Sequence, residues 1–506
     1  MRTSALLFVA LAACTPRAAE RPSSASIVVG VGRVTQSLDP RDAALRPAVE
    51  LSFLLYDRLV GVDSLGNPVP ELAARWRIDD AAREVVFVLR ADARFHDGTP
   101  VRAADVVRSL SPGATDTLGR EQLTPLLRTV DGGDAFLDGR SDRVRGLDAR
   151  DDSTVAIRFV RGHLLDVPLF SGTIYAIRGP RASATVAHGS GPWRLVRRER
   201  GDSLLVLARV RPAPGWPDTL RYHTIPFGDL GAAIVRKEVD CVPFINATVR
   251  RDLVARTDIV VRDDGPLNLQ MIDFSPRSPR WHDVRARRAI AHLIDRPTFL
   301  RALSLRGTVT SGLLVPGGVN DDAAAPPIAH DPVRARELLD SAGIRDGDTV
   351  RLFVNAGFPM DTLHGVIGTV GASLRALGRV PVYLPSGDFT VALERGDVDL
   401  AAFSLGMAPH QEPLEAYLAA GRVGNAQDVL DRLPDIGPLE RRARTDRSPA
   451  DRQAALRAIN RLFIERQPVV PLWFAPGSIA ARHGVEGCSM EAAAQTRFLT
   501  LRRTIP

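Results

Sequence analysis

Strand-like and helix-like segments alternate through the second half of the chain, and this alternation constrains the fold more than any other feature. Residues 267–274 and 350–354 are short, mostly apolar runs typical of buried strands. Residues 283–295, 331–342 and 363–377 carry apolar side chains at helical spacing. Strands that alternate with helices pair into sheets covered by helices, so the sequence predicts an α/β architecture.

The first half of the chain adds shorter strand-like runs. Residues 26–34, 84–89 and 154–160 are predicted strands, and residues 47–60 have apolar side chains at helical spacing. A tight turn is predicted at residues 95–100, with a helix after it. The length of 506 residues predicts about three structural lobes.

Composition limits the classes of function open to the chain. Apolar residues make up 45% and charged residues 25%, as in soluble globular proteins. After residue 13, no apolar run approaches the roughly 20 residues that span a bilayer. Lys237 is the only lysine, so 65 of the 66 cations (66 − 1) are arginine, and aspartates are interspersed among them. The net charge of +7 therefore does not indicate a nucleic-acid partner.

The N-terminus predicts export. A cationic start is followed by the apolar run 5–13, which ends in small residues before Cys14. This pattern resembles the bacterial lipobox and implies a signal peptide over 1–13 with lipidation of Cys14. Residues 14–25 are then a polar tether to the membrane. The alternative is an ordinary signal whose apolar region happens to end near a cysteine.

Motifs for catalysis and metal binding are missing. Lys237 lies between Arg236 and Glu238, so no phosphate-binding loop is present, and no H-E-x-x-H or G-x-S-x-G occurs. No close Cys/His spacing indicates zinc, so the sequence predicts no metal and no cofactor. Cys241 and Cys488 form a disulfide or remain two free thiols. These absences favour a binding protein over an enzyme.

Several sequence blocks together are similar to one family. They occur in the family's order and cover nearly the whole mature chain. The main blocks are Val69-Pro70-Glu71-Leu72-Ala73, Phe95-His96-Asp97-Gly98-Thr99-Pro100, Gly189-Ser190-Gly191-Pro192-Trp193 and Pro468-Val469-Val470-Pro471-Leu472. The chain resembles the bacterial extracytoplasmic solute-binding proteins of the peptide/nickel class (family 5), which serve ABC importers.

The resemblance implies a two-lobed clamp of the periplasmic-binding-protein type (type II) with two hinge strands. Lobe I would comprise residues 26–47, 166–266 and 476–506. Residues 48–165 would form an additional subdomain, and residues 267–475 would form lobe II. The implied protein is a monomeric, lipid-anchored periplasmic binder that closes over a peptide or small polar solute and docks on an ABC permease.

The resemblance also implies a ligand-binding loop after residues 400–405. Peptide-binding members carry a Gly-Trp pair there, followed by an aspartate that pairs with the buried amino terminus of the peptide. Here Met407 replaces the tryptophan, and the aspartate position falls on Pro409 or His410, before Gln411 and Glu412. Glu412 as a replacement anchor and His410 as a hydrogen-bonding or chelate-contacting group are the candidates. The alternative is that these residues are solvated and have no ligand role.

Other candidates lie outside that loop. Arg41, Asp42 and Arg46 are the polar residues of a segment that lines the cleft in relatives, and Arg46 is a candidate clamp for a carboxylate. Asp273 is a candidate hinge group, whereas His96 is interpreted as a turn residue that packs on its neighbours. Alternative functions are the binding of a non-peptide ligand such as a metal chelate, and a sensor or chaperone-like role without a permease.

Overall fold

The computed structural model covers both halves of the chain with gaps. It describes residues 26–32, 37–42, 46–62, 68–79, 81–160, 167–200, 203–214, 216–302, 305–318, 320–325, 327–355, 361–386, 389–406, 414, 433, 435–445, 449–489 and 497–504. The predicted signal peptide, Cys14 and the tether lie outside these residues.

The described residues contain helices and strands in alternation. The helices are α1 Arg46–Leu55, α2 Ala103–Leu110, α3 Thr117–Leu127, α4 Gly133–Leu137, α5 Leu230–Val235, α6 Ala247–Leu253, α7 Val284–Leu293, α8 Arg296–Ala302, α9 Pro332–Ser341, α10 Asp361–Ala376, α11 Phe389–Arg395, α12 Ile436–Thr445 and α13 Pro449–Arg466. The strands are β1 Ser26–Val31, β2 Val60–Val62, β3 Pro68–Pro70, β4 Ala73–Asp79, β5 Glu84–Leu89, β6 Leu147–Ala149, β7 Thr154–Arg158, β8 Trp193–Glu199, β9 Leu204–Arg209, β10 Thr219–Thr224, β11 Cys241–Ile245, β12 Ile259–Phe274, β13 Thr308–Val309, β14 Thr349–Asn355, β15 Val380–Ser386, β16 Leu400–Gly406, β17 Val470–Arg482, β18 Val485–Glu486 and β19 Arg502–Arg503.

Within these residues, eleven strands form one mixed sheet. Its order is β15-β14-β16-β12-β17-β11-β1-β10-β9-β8, with β13 beside β17. A separate antiparallel sheet, β4-β5-β7-β6, belongs to the region predicted as the additional subdomain. The α/β class is thereby confirmed.

Two long antiparallel strands, β12 and β17, run through the middle of the large sheet. The first part of β12 pairs with the last part of β17, and β11 pairs with the other edge of β17 there. The last part of β12 pairs with the first part of β17, and β16 pairs with the other edge of β12 there. Between these parts the register shifts at Pro266, which lies opposite Pro476. Because proline has no backbone N–H, neither residue can donate a hydrogen bond to the ladder there. We call this crossing point the hinge.

Buried apolar residues form separate cores on the two sides of the hinge. Lobe I has the core around Val29, and lobe II has the core around Leu352. A third core around Phe87 belongs to the small sheet. Helix α1 was predicted to lie in the additional subdomain, but its Leu51 and Leu54 pack in the lobe I core. The other lobe boundaries stay a prediction.

Cys241 and Cys488 form a disulfide. It joins β11 to the segment after β18, and both cysteines are buried. Of the two possibilities that the sequence left open, a disulfide or two free thiols, the structure has the disulfide. Disulfides persist in oxidising compartments, so the bond agrees with the predicted export. Among the described helices, none combines the length and apolar character needed to traverse a bilayer.

Candidate ligand-binding cleft

Three parallel strands of lobe I end at the hinge. Strand β1 lies between β10 and β11, with Val31 opposite Thr224 and Val29 opposite Cys241. The last residue of β11, Ile245, lies opposite Ser478 of β17. Since all three strands run in the same direction, their carboxyl ends point towards the hinge.

Lobe II has the matching arrangement. Strands β14 and β15 are parallel and end together at Asn355 and Ser386, and β16 runs parallel to β14. The last residue of β16, Gly406, lies opposite Asn268 of β12, at the hinge. Each lobe therefore directs the carboxyl ends of its parallel strands to the space between the lobes.

In lobe I, the chain leaves neighbouring strands towards opposite faces of the sheet. After β1 it reaches α1, whose Leu51 shares a core with Val29. After β10 and β11 it reaches α5 and α6, which pack on the other face against Val28. Such a switch point opens a crevice beyond the strand ends, where ligands of open α/β sheets bind.

In lobe II, the strand order β15-β14-β16 reverses at β14, which gives a second switch point. Helix α10 follows β14 and packs on the face that carries Leu352, whereas α11 follows β15 and packs on the face that carries Phe353. The two switch points make the interlobe space the candidate binding cleft.

A cavity of about 510 Å³ lies at the hinge. Its lining includes Asp263 from lobe I, Arg306 and Thr308 from lobe II, and Phe474 and Pro476 of β17. A neighbouring open groove of about 750 Å³ shares Arg306 and Thr308 with it. A volume of this order suits a small ligand.

Asp263 is the centre of a charged cluster beside this cavity. One of its carboxylate oxygens accepts hydrogen bonds from the Ser478 hydroxyl at 2.6 Å and from Arg250 Nε of α6 at 2.9 Å. The other oxygen lies 3.1 Å from Arg306 Nη1, which comes from lobe II. The cluster therefore joins the two sides of the hinge.

The cluster keeps Asp263 ionised. Burial alone raises the pKa of Asp263, but hydrogen bonds from Ser478 and Arg250 and the positive charges of Arg250 and Arg306 outweigh it. The pKa of this carboxyl group is therefore below its usual value. Among the described residues, no group of three or more His, Cys, Asp or Glu side chains is placed to hold a metal ion.

The structure leaves the predicted ligand-binding residues untested. Met407, His410, Gln411 and Glu412 lie outside the described residues, and the strand before them, β16, ends at Gly406. Arg46 is the first residue of α1, but its side chain is likewise outside the description. These assignments stay predictions.

Arg41 has a structural role. Its guanidinium is buried and binds Asp39 at 2.9 Å and Asp116, the N-cap of α3, at 2.6 Å. This network ties lobe I to the subdomain, so Arg41 is not a free group in the cleft. His96 also packs as predicted: its Nε2 is 3.0 Å from the Gly191 carbonyl oxygen, and burial lowers its pKa.

Asp273 is not at the hinge. It is buried in the lobe II half of β12, opposite Ala401 and beyond the register shifts. The hinge carboxylate is Asp263, which sequence reasoning missed. The only local signal was Pro266, a residue that interrupts a strand pattern and so marks a break.

Comparison with known proteins identifies the family. The model for bacterial extracellular solute-binding proteins, family 5 (middle region), matches residues 67–422. The chain belongs to family 5. One relative, the "probable peptide ABC transporter periplasmic-binding protein y4tO" of Sinorhizobium fredii, is 23% identical over 484 residues, covering 83% of each chain.

Solved structures confirm the two-lobed fold of this family 5 protein. The periplasmic binding protein DppA of Helicobacter pylori, in complex with the peptide STSA, has a TM-score of 0.75 at 17% identity, covering 95% of this chain and 98% of its own. NikA of Brucella suis, in complex with Fe(III)-EDTA, has a TM-score of 0.75 at 18% identity, covering 94% and 100%. The fold is thus shared by binders of very different solutes.

Proposed function

We propose that this chain captures a peptide or similar small polar solute between its lobes and delivers it to an ABC permease. The observation that carries the proposal is the convergence of two switch points on one hinge. A ligand held there contacts both lobes, and only such a ligand can favour the closed form over the open one. Two findings support a peptide as the solute: the chain belongs to family 5, and the similar Helicobacter pylori protein was solved in complex with a peptide.

We further propose that the protein works in the periplasm as a lipoprotein anchored through Cys14, without catalysing a reaction. Anchoring confines the binder near its permease and raises its effective concentration there. The absence of catalytic motifs from the sequence supports binding without conversion.

A peptide panel tests the solute class. A bound peptide at one hundred times its Kd adds about 2.7 kcal/mol to the free energy of unfolding, so it raises the melting temperature. Closure should also lower the radius of gyration in solution scattering. Free amino acids at the same concentrations are the control. Peptides of two to five residues that produce neither change would contradict the peptide proposal.

A metal chelate is the second candidate, favoured by the likeness to Fe(III)-EDTA-bound NikA. Fe(III)-EDTA in the same assays separates the two candidates, because it should raise the melting temperature where peptides do not.

Delivery to a permease is tested separately. Deletion of the gene should abolish uptake of the bound solute, whereas unchanged uptake would favour a sensor or chaperone-like role.

A further inference from the structure

Two phenylalanine rings meet over the carboxyl end of β1. Phe227 follows β10, and Phe244 lies near the end of β11, with ring centroids 5.5 Å apart. Neighbouring strands are about 4.8 Å apart, so β10 and β11, which flank β1, are separated by roughly 10 Å. The rings therefore bridge the end of β1, just where the Ile225 amide makes its 2.9 Å bond to the Val31 carbonyl.

One ring of the pair is exposed and the other is partly buried. Phe244 is half-buried and packs on the lobe I core, whereas Phe227 is 38% exposed. Residues 226–229 are all exposed, and a methyl group added at Gly228 would meet nothing within 4 Å. Phe227 thus has a neighbouring ring on one side and open space beside it.

Its position sets Phe227 apart from other exposed apolar residues. In the described part of the chain, the large apolar residues with substantial exposure include only two aromatics, Phe227 and Tyr383. Tyr383 lies in the middle of β15, which is the edge strand of the lobe II sheet and three strands away from β12, and it is level with the first residue of β16. Phe227 lies at the switch point of lobe I.

We propose that Phe227 and Phe244 form an apolar platform that receives an aromatic or aliphatic group of the bound solute. The inference rests on the proposed function and narrows it to solutes that carry such a group. A solute group that stacks on Phe227 removes apolar surface of both partners from water. Because Phe244 already restrains the Phe227 ring, little side-chain freedom is lost on binding.

Matched peptides test the platform. The probes are trialanine and the three tripeptides in which one alanine is replaced by phenylalanine, titrated by calorimetry. The wild-type protein should bind at least one phenylalanine peptide about tenfold more tightly than trialanine. Phe227→Ala should abolish that preference, and Phe227→Tyr should retain it. Since Phe227 is exposed, the melting temperature of the free variants should not change.

Tyr383→Ala is the control, because Tyr383 is 40% exposed but remote from the hinge. It should leave the tenfold preference intact. A preference that survives Phe227→Ala, or a wild-type protein that binds all four peptides equally, overturns the platform and leaves the proposed function standing. A wild-type protein that binds none of the peptides, with an unmoved melting temperature, overturns the peptide proposal and the platform together.

Discussion

Asp263 and Arg306 form a 3.1 Å ion pair across the hinge. Asp263 lies in the part of β12 that belongs to lobe I, and Arg306 precedes β13 in lobe II. The Asp263 side chain is 18% exposed and that of Arg306 is 62% exposed. An ion pair with so exposed an arginine contributes little to the free energy of unfolding. We therefore expect the pair to affect the angle between the lobes more than the stability of the fold.

Substitution of Arg306 should therefore separate conformation from stability. Arg306→Gln should change the free energy of unfolding by less than about 1 kcal/mol, yet increase the radius of gyration of the ligand-free protein. Arg301→Gln is the matched control, since Arg301 lines the neighbouring groove but bonds Thr298. Identical scattering curves for the two variants and the wild type would show that the pair does not restrain the lobes.

Acid should weaken lobe II through Asp399. This buried carboxylate accepts hydrogen bonds from the backbone amide of Arg351 at 2.8 Å and from its guanidinium at 3.1 Å. Burial raises the pKa of Asp399, but the hydrogen bonds and positive charge of Arg351 outweigh it, so the folded-state pKa of this carboxyl group is below its usual value. The resulting stability is present above about pH 4 and is lost as the pH falls through the folded-state pKa.

Asp399→Asn should accordingly lower the free energy of unfolding by about 2 kcal/mol at pH 6 and by much less near pH 2. Urea unfolding at a series of pH values measures the difference. The exposed neighbour Asp397 supplies the control variant, Asp397→Asn, which should change stability little at either pH. A destabilisation by Asp399→Asn that stays constant with pH would contradict the assignment.

The disulfide should stabilise lobe I. It joins residues 247 positions apart, and native disulfides typically contribute about 2–4 kcal/mol, mainly by restricting the unfolded chain. The Cys241→Ala/Cys488→Ala double variant should lose that amount in urea unfolding. Each single variant should lose a similar amount, because each also removes the bond. Reduction of the wild-type protein that leaves its unfolding curve unchanged would refute this prediction.

Local patterns predicted the elements that local chemistry determines. Helical spacing predicted a helix over residues 331–342, and the structure has α9 there, with Asp331 as N-cap accepting from the Arg334 amide at 2.8 Å. Residues 84–89 were predicted as a strand and form β5. In contrast, β17 was missed, because Pro471 and Pro476 interrupt its strand pattern.

The site depended on contacts that no local pattern contains. The insertion of β1 between β10 and β11 is a pairing of segments about 200 residues apart, and it alone brings Phe227 to Phe244. Likewise, Asp263 and Arg306 are close because β12 and β13 both pair with β17. A sequence pattern records periodicity along the chain, and these contacts depend on which strands become neighbours.

Membrane attachment should depend on Cys14. Two or three acyl chains hold a protein on a bilayer firmly, because each buried methylene contributes about 0.8 kcal/mol. Cys14→Ala should therefore release the protein into the soluble fraction. Thr15→Ala, which leaves the acylated residue in place, should stay with the membranes. Retention of the Cys14 variant after a high-salt wash would refute the lipobox assignment.

Glu412 follows β16 in the sequence and is the predicted anchor for a cationic group of the solute. If Glu412 pairs with a cationic group of the solute, Glu412→Gln removes a charge-assisted hydrogen bond, which contributes about 1.5–3 kcal/mol. The variant should then bind a cationic peptide about ten- to a hundredfold more weakly. A matched peptide whose cationic group is acetylated should be affected far less.

The neighbouring carboxylate supplies the control for this test. Glu415→Gln removes the same charge three residues further along the chain, so it measures the effect of net charge alone. Calorimetric titrations of both variants with both peptides give the four affinities needed. Equal losses for the cationic and the acetylated peptide, or an equal effect of the two substitutions, would remove Glu412 from the binding site, since a specific ion pair must depend on both of its partners.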